Sequence, residues 1–350
     1  MEPIPVAILG ATGVVGQRFV QLLDGHPWFR VTTLCASDRS VGKTYREGCR
    51  WLLDTPMPAW ASTMILQPTT AEAVNEPIAF SALPAEVALE VEPQLAQKGC
   101  VVCSNASAHR MEEDVPLLLP EVNAEHVELI HWQRGRRGWR GAIVTNPNCT
   151  STGMTVVLKA LDRVFGVKRA IAVSMQALSG AGYPGVASLE IVDNVIPFIR
   201  GEEEKVAWEP RKMLGTLQNG QVVLHPIVIS AQTNRVAVLD GHMVCLTVEC
   251  ESRPTLEETI HVLETYTVPE FIADLPSTPR PPILVRLEED RPQPRLDRMS
   301  GRGMSTVVGR IRADEVLDLK MVILSHNTIR GAAGASIYNA ELIVRAGWLA

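Results

Sequence analysis

The chain has 350 residues, 46% of them hydrophobic and 21% charged, with a formal net charge of −6. That length predicts two domains, each with a core of its own, and the composition excludes disorder. The negative balance argues against a nucleic-acid surface, and no apolar run nears the ~18 residues of a membrane span, so neither nucleic acid nor membrane is an expected partner.

The amino terminus enters an apolar run at Ile4 with no basic region and no cleavage-site pattern, which makes the cytoplasm the expected compartment. Val6 to Leu9 leads into Gly10-Ala11-Thr12-Gly13-Val14-Val15-Gly16, and Gln17 to Leu23 follows with helical apolar spacing. The pattern is strand, glycine turn, helix. Gly10, Gly13 and Gly16 permit a tight turn and bring backbone N–H groups, with Thr12, Val14 and Val15 among them, to a pyrophosphate that the helix dipole also favours. The spacing is G-x-x-G-x-x-G rather than the commoner G-x-G-x-x-G, and a ligand-free turn of this shape is the alternative.

A second strand, Val31 to Ala36, ends in Ser37-Asp38-Arg39-Ser40-Val41-Gly42-Lys43, where a dinucleotide fold reads the adenosine ribose. Asp38 alone would suit a 2′-hydroxyl and NAD. Ser37, Arg39, Ser40 and Lys43 around it suit a 2′-phosphate and predict NADP. Strands at Ile78 to Ser81 and Cys100 to Cys103, with a helix from Ala85 to Gln97 between them, continue the alternation of a doubly wound parallel sheet. Ser81, Leu83 and Pro84 lie at one strand end, and Asn105 and Arg110 follow another, with Arg110 as an anion ligand. Cys100 and Cys103 have zinc-knuckle spacing, but no second pair follows, so they are assigned to a buried strand and no metal site is expected. Seven scattered cysteines make no disulfide framework. Arg134 to Arg137 reads as a solvated helix end.

The run Ala142 to Val144 stops at Asn146-Pro147-Asn148-Cys149-Thr150, and a helix-like run occupies Met154 to Leu161. Cys149 therefore falls at a strand-to-helix turn, where free N–H groups are expected to lower its pKa and make it a nucleophile. A buried, inert cysteine is the alternative. Beyond it come β-like segments at 170–177, 222–238, 242–251, 304–311 and 317–325, with helices near 202–214 and 255–266. This suits a second, α+β domain with a mainly antiparallel sheet. Residues 277–298, rich in proline and arginine, read as an ordered loop or linker. Residues 330–347 return to helical spacing and are expected to pack on the first domain. The expected division is 1–148 plus 328–350 against 149–327.

Gly10-Ala11-Thr12-Gly13 with Gly16, Asn146 to Thr150, Gln176 leading to Ser179-Gly180-Ala181-Gly182-Tyr183-Pro184-Gly185, Asp240-Gly241-His242, and His326 to Gly334 together resemble the motifs of aspartate-semialdehyde dehydrogenases of the archaeal and fungal type. The resemblance runs nearly end to end. It implies NADPH-dependent reductive dephosphorylation of L-4-aspartyl phosphate to L-aspartate 4-semialdehyde, on the way to lysine, threonine and methionine, by a homodimer or homotetramer. The first division would then hold NADP, and the second would carry catalysis and dimerisation. Cys149 would carry the thioacyl group, His242 would serve as acid and base, Gln176 would orient the reacting group, and Asn148 with the helix N–H groups would hold the oxyanion. Arg235 would grip the substrate α-carboxylate, Glu209 the α-ammonium, and Lys212 and Arg110 the phosphate, with Asn105 beside them. Ser179, Gly180, Gly182 and Asn327 would join the cofactor set. His109, His225 and His326 compete with His242 for its role. Two other functions stay open. A malonyl-CoA reductase could share this framework, and a silent NADP-binding regulatory protein could share the fold, although that would need a broken site and Cys149, Gln176, Arg235 and His242 are all present.

Overall fold

The computed structural model describes residues 2–349. Six short strands, β1 (Ile4–Leu9), β2 (Phe29–Ala36), β3 (Gln67–Pro68), β4 (Ile78–Ser81), β5 (Val101–Ser104) and β6 (Ala142–Thr145), form one parallel sheet in the order β3-β2-β1-β4-β5-β6. Every residue of β4, β5 and β6 is buried, as a parallel sheet covered on both faces requires. The order reverses between β1 and β4, so a ligand crevice opens at their carboxyl ends. The helix Gly334–Arg345 returns as expected, placing Ile337, Tyr338, Leu342 and Ile343 in one core with Val6, Ile8 and Phe80. A π-helical turn, Ile329–Ala333, leads into it.

The remaining strands are β7 (Val167–Gln176), β8 (Thr216–Gln218), β9 (Gln221–Val223), β10 (Val228–Arg235), β11 (His242–Cys250), β12 (Ile283–Arg286), β13 (Thr306–Ala313) and β14 (Leu319–Ser325). All but the β8-β9 hairpin form a second sheet in the order β10-β7-β11-β14-β13-β12. It is antiparallel in the middle and parallel at both edges. The helix Cys149–Phe165 covers one face, where Met154, Val157 and Leu161 meet Ala170, Leu246 and Ile323. Leu117, Leu119 and Val122 join this second core from the first half of the chain. On the other face Ile171, Val228 and Cys245 are exposed.

Two expectations are corrected. The segment 222–238 is not one strand, because Pro226 cannot donate to a ladder and falls in the gap between Val223 and Val228. The segment 277–298 is more than a loop, since prolines hid β12 and a short helix, Pro294–Asp297, pinned by an Arg291–Asp297 ion pair. Among the described residues no helix is long and apolar enough to cross a membrane, and no group of three or more His, Cys, Asp or Glu side chains is placed to hold a metal.

Candidate active site

The crevice is a cavity of about 590 Å³. On one wall stand Gly13, Val14 and Val15 at the start of the helix Val14–Leu22, with Leu83, Pro84 and Asn105; across from them stand Ser179, Gly180, Gly182 and Asn327. Gly10, Thr12 and Gly16 build the turn behind this wall. A Cβ on Gly16 would sit 2.2 Å from the Gly10 carbonyl oxygen, so only glycine lets the helix approach the strand this closely. Ser81 is buried at the end of β4. Ser37, Arg39 and Lys43 are exposed and Ser40 half-buried past the end of β2, outside this cavity. Asn327 ties the far wall together, donating from Nδ2 to Ser179 Oγ at 2.7 Å and accepting the Gly241 N–H at 2.8 Å.

Cys149 is half-buried in the cavity lining at the first turn of its helix. Asn148 caps that helix, its Oδ1 accepting the N–H groups of Thr150 at 2.9 Å and Ser151 at 3.4 Å. A Cβ on Gly331 would lie 2.6 Å from Cys149 Cβ, so the π-helical turn presses its bare backbone against Cys149. Register assembles the rest. Gln176 and Arg235 are paired at the carboxyl ends of the parallel strands β7 and β10, and antiparallel β11 begins beside them with His242.

The thiol does not behave as the helix start suggested. Burial pushes it up to about 12, Glu202 reinforces the shift, and Arg110 and Arg235 oppose it. The N–H groups of Thr150 and Ser151 go to Asn148, and two carboxylates, Glu202 and Glu209, add to the cost of a thiolate. His242 is buried, and burial, Arg235 and His326 hold its imidazole down to about 3, so the ring is neutral. Its Nδ1 accepts the Ala177 N–H at 3.1 Å, which puts the proton on Nε2. Nε2 has no partner among the described residues, and Gly180 leaves room beside it, where a Cβ would come within 3.1 Å of Nε2 and 2.8 Å of an Arg235 nitrogen.

The helix Glu202–Met213 carries Glu-x-x-Lys twice, at 202–205 and 209–212. The first copy lines the cavity. Glu202 accepts from Asn148 Nδ2 at 2.8 and 3.0 Å, from Gln176 Nε2 at 3.3 Å and from Lys205 Nζ at 3.1 Å. The second copy, expected to bind substrate, is buried behind the cavity wall. Glu209 accepts from Arg110 at 2.9 Å and from the Asn148 N–H at 2.6 Å, while Lys212 Nζ donates to the carbonyls of Arg110, Glu112 and Val115 at 2.9, 2.7 and 2.8 Å. Arg235, Arg110 and Asn105 line the cavity. The Asn148 amide, committed to Glu202, is not free to meet an oxyanion in this state.

A glycine turn for a dinucleotide and a cysteine at the floor of the same cleft define a nicotinamide-dependent dehydrogenase of the thiol class. Residues 5–130 match the family model for the semialdehyde dehydrogenase NAD binding domain, and residues 158–330 match that for its dimerisation domain. The aspartate-semialdehyde dehydrogenase of Archaeoglobus fulgidus is 52% identical, over 97% of this chain and 98% of its own. That of Schizosaccharomyces pombe is 45% identical, over 98% of each. The crystal structure of the Candida albicans enzyme with NADP matches with a TM-score of 0.90 and 38% identity, covering 99% of this chain and all of its own. The chain belongs to the aspartate-semialdehyde dehydrogenase family.

Proposed function

We propose that the protein carries out the NADPH-dependent reductive dephosphorylation of L-4-aspartyl phosphate to L-aspartate 4-semialdehyde, through a thioacyl group on Cys149. The observation that carries this reading is the placing of Glu202 and Arg235 in one cavity with Cys149, an anion and a cation matched to the α-ammonium and α-carboxylate of an amino acid. A malonyl thioester has no ammonium for Glu202, which speaks against the malonyl-CoA alternative.

The side chains suggest the following division of labour. Pairing of Glu202 with the substrate ammonium removes one of the charges that hold the thiol up and frees Lys205 to join Arg110 at the phosphate. The sulfur attacks the acyl carbon, the carbon–oxygen bond to phosphate breaks, the thiol proton leaves on the departing phosphate, and a thioester remains. NADPH, when bound, supplies the hydride that converts the thioester to a thiohemiacetal oxyanion. Collapse of that oxyanion breaks the carbon–sulfur bond and returns aldehyde and thiolate. His242 Nε2–H donates to the oxyanion, joined by Gln176 Nε2 once the substrate ammonium draws Glu202 away from it, a contact typically worth about 3 kcal/mol.

The narrow fit of the glycine turn suits a pyrophosphate, and the exposed hydroxyls and cations of Ser37, Arg39, Ser40 and Lys43 suit a 2′-phosphate. On this reading residues 1–148 with 328–350 hold NADP and 149–327 carry catalysis and subunit pairing, in a cytoplasmic homodimer or homotetramer. The test is NADP reduction by aspartate semialdehyde with phosphate, or arsenate in its place. Turnover that needs phosphate and disappears in Cys149→Ser, with NADP binding kept, is expected; phosphate-independent turnover, or an active Cys149→Ser, overturns the reading.

A further inference from the structure

The loop after β5 brings Asn105, Ser107 and Arg110 to the cleft, and a cluster of buried and half-buried charges that the chemistry does not use holds it from below. Glu92, on the helix Ala85–Lys98, is wholly buried and accepts from Ser104 Oγ at 2.7 Å. Its Oε2 faces His109 Nε2 at 3.6 Å, and neither atom has a hydrogen-bond partner among the described residues. On the other side of the ring, Nδ1 lies 2.7 Å from Glu112 Oε1. Glu112 and Asp114 both pair with Arg137, at the end of the helix Leu129–Arg137. From the helix Glu202–Met213, Glu209 grips Arg110 and Lys212 ties the loop carbonyls.

The charges decide the state of His109. Four carboxylates, Glu92, Glu112, Asp114 and Glu209, face three fixed cations, Arg110, Arg137 and Lys212, so a proton on His109 completes the balance. Burial alone would lower the imidazolium, but the hydrogen bond and charge of Glu112 and the charge of Glu92 outweigh it and raise His109 above its ordinary 6.5. Burial pushes Glu92 up as well, so Glu92 and His109 share the proton that completes the balance.

We propose that Glu92, His109 and Glu112 are positioning residues for Arg110, and that a proton shared among them fixes the loop so that the cleft grips a phosphate more tightly with His109 charged than neutral. This rests on the reading that the cleft takes an acyl phosphate. His109 is raised in the folded protein, so its contribution is complete below about 6.5 and is lost as pH climbs through the raised value.

The experiment measures KM for phosphate and kcat against pH, in the oxidative direction, for the full chain and for His109→Gln and Glu92→Gln. Phosphate's own ionisation is common to all three, so ratios to the unsubstituted protein are compared. At pH 6.5 we expect His109→Gln to raise KM for phosphate roughly five- to thirtyfold with kcat at saturating phosphate little changed, and the ratio to shrink toward one as pH rises. A constant ratio of one, or kcat falling as far as KM rises, overturns the proposal. ¹⁵N-histidine NMR gives a readout that does not depend on turnover: one imidazole should titrate above the ordinary range and move down in Glu92→Gln. If no such resonance exists in the unsubstituted protein, the proposal fails whatever the variants do. A protein with no phosphate-dependent NADP reduction at all defeats the underlying reading instead.

Discussion

His242 is buried beside Gly180 of the cleft wall and can act only as a donor, because the Ala177 N–H occupies the nitrogen that would otherwise be protonated second. A base and a donor make different demands on a replacement. His242→Ala should lower kcat by about 10²–10³ with little change in KM. His242→Asn, which keeps an N–H, should recover part of that loss, and equal inactivity of the two variants in steady-state kinetics would restore the base assignment. The two Glu-x-x-Lys copies separate as sharply. Glu202→Gln should weaken use of aspartate semialdehyde, and Lys205→Ala should raise KM for phosphate, each by roughly ten- to a hundredfold in kcat/KM. Glu209→Gln and Lys212→Ala should appear first in thermal melts, since those side chains stitch protein to protein. The sequence pointed to the motif but to the copy that does not line the cavity, because seven residues is close to two helical turns and both copies share a face. Only packing shows which copy the cavity reaches. Cys149 was legible from its turn, but not its raised pKa, which comes first from burial and then from carboxylates more than fifty residues away in the chain.

At the level of elements, the thiol is placed by a cap on one side and a glycine on the other. Asn148 fixes where the helix Cys149–Phe165 begins, and Gly331 lets the π-helical turn close on it. Gly331→Ala should therefore push these two elements apart, lowering both kcat and Tm while NADP affinity stays near its starting value. Full activity in that variant would show that the turn yields freely. Alternating apolar residues made β11 and β14 readable, and the glycine turn made the first βα unit readable, since each is a local pattern. The meeting of Gln176, Arg235 and His242 was not readable, because it follows from which strands pair and in which direction. The hidden β12 shows the same limit, since its pairing with β13 outweighs a proline-rich surrounding.

Across the whole molecule, one sheet is sealed on both faces and the other only on one. Ile171, 43% exposed, and Val228, 64% exposed, stand on the open face with Cys245, which suits a partner surface better than solvent. Ultracentrifugation should accordingly find a dimer or larger species, and Ile171→Asp with Val228→Asp should reduce it. A monomer before substitution would leave that face without a covering copy.

Lys212 joins these scales, for its three carbonyl partners belong to the loop under Arg110 while its backbone belongs to the helix that carries Glu202. In effect the fold coordinates an ammonium ion that happens to be tethered. Lys212→Ala should then leave a small receptor for a free guest, so that ammonium or a short alkylammonium salt restores Tm in a saturable way that sodium at equal ionic strength does not match. The same salts should do nothing for Lys205→Ala, whose vacancy opens onto water.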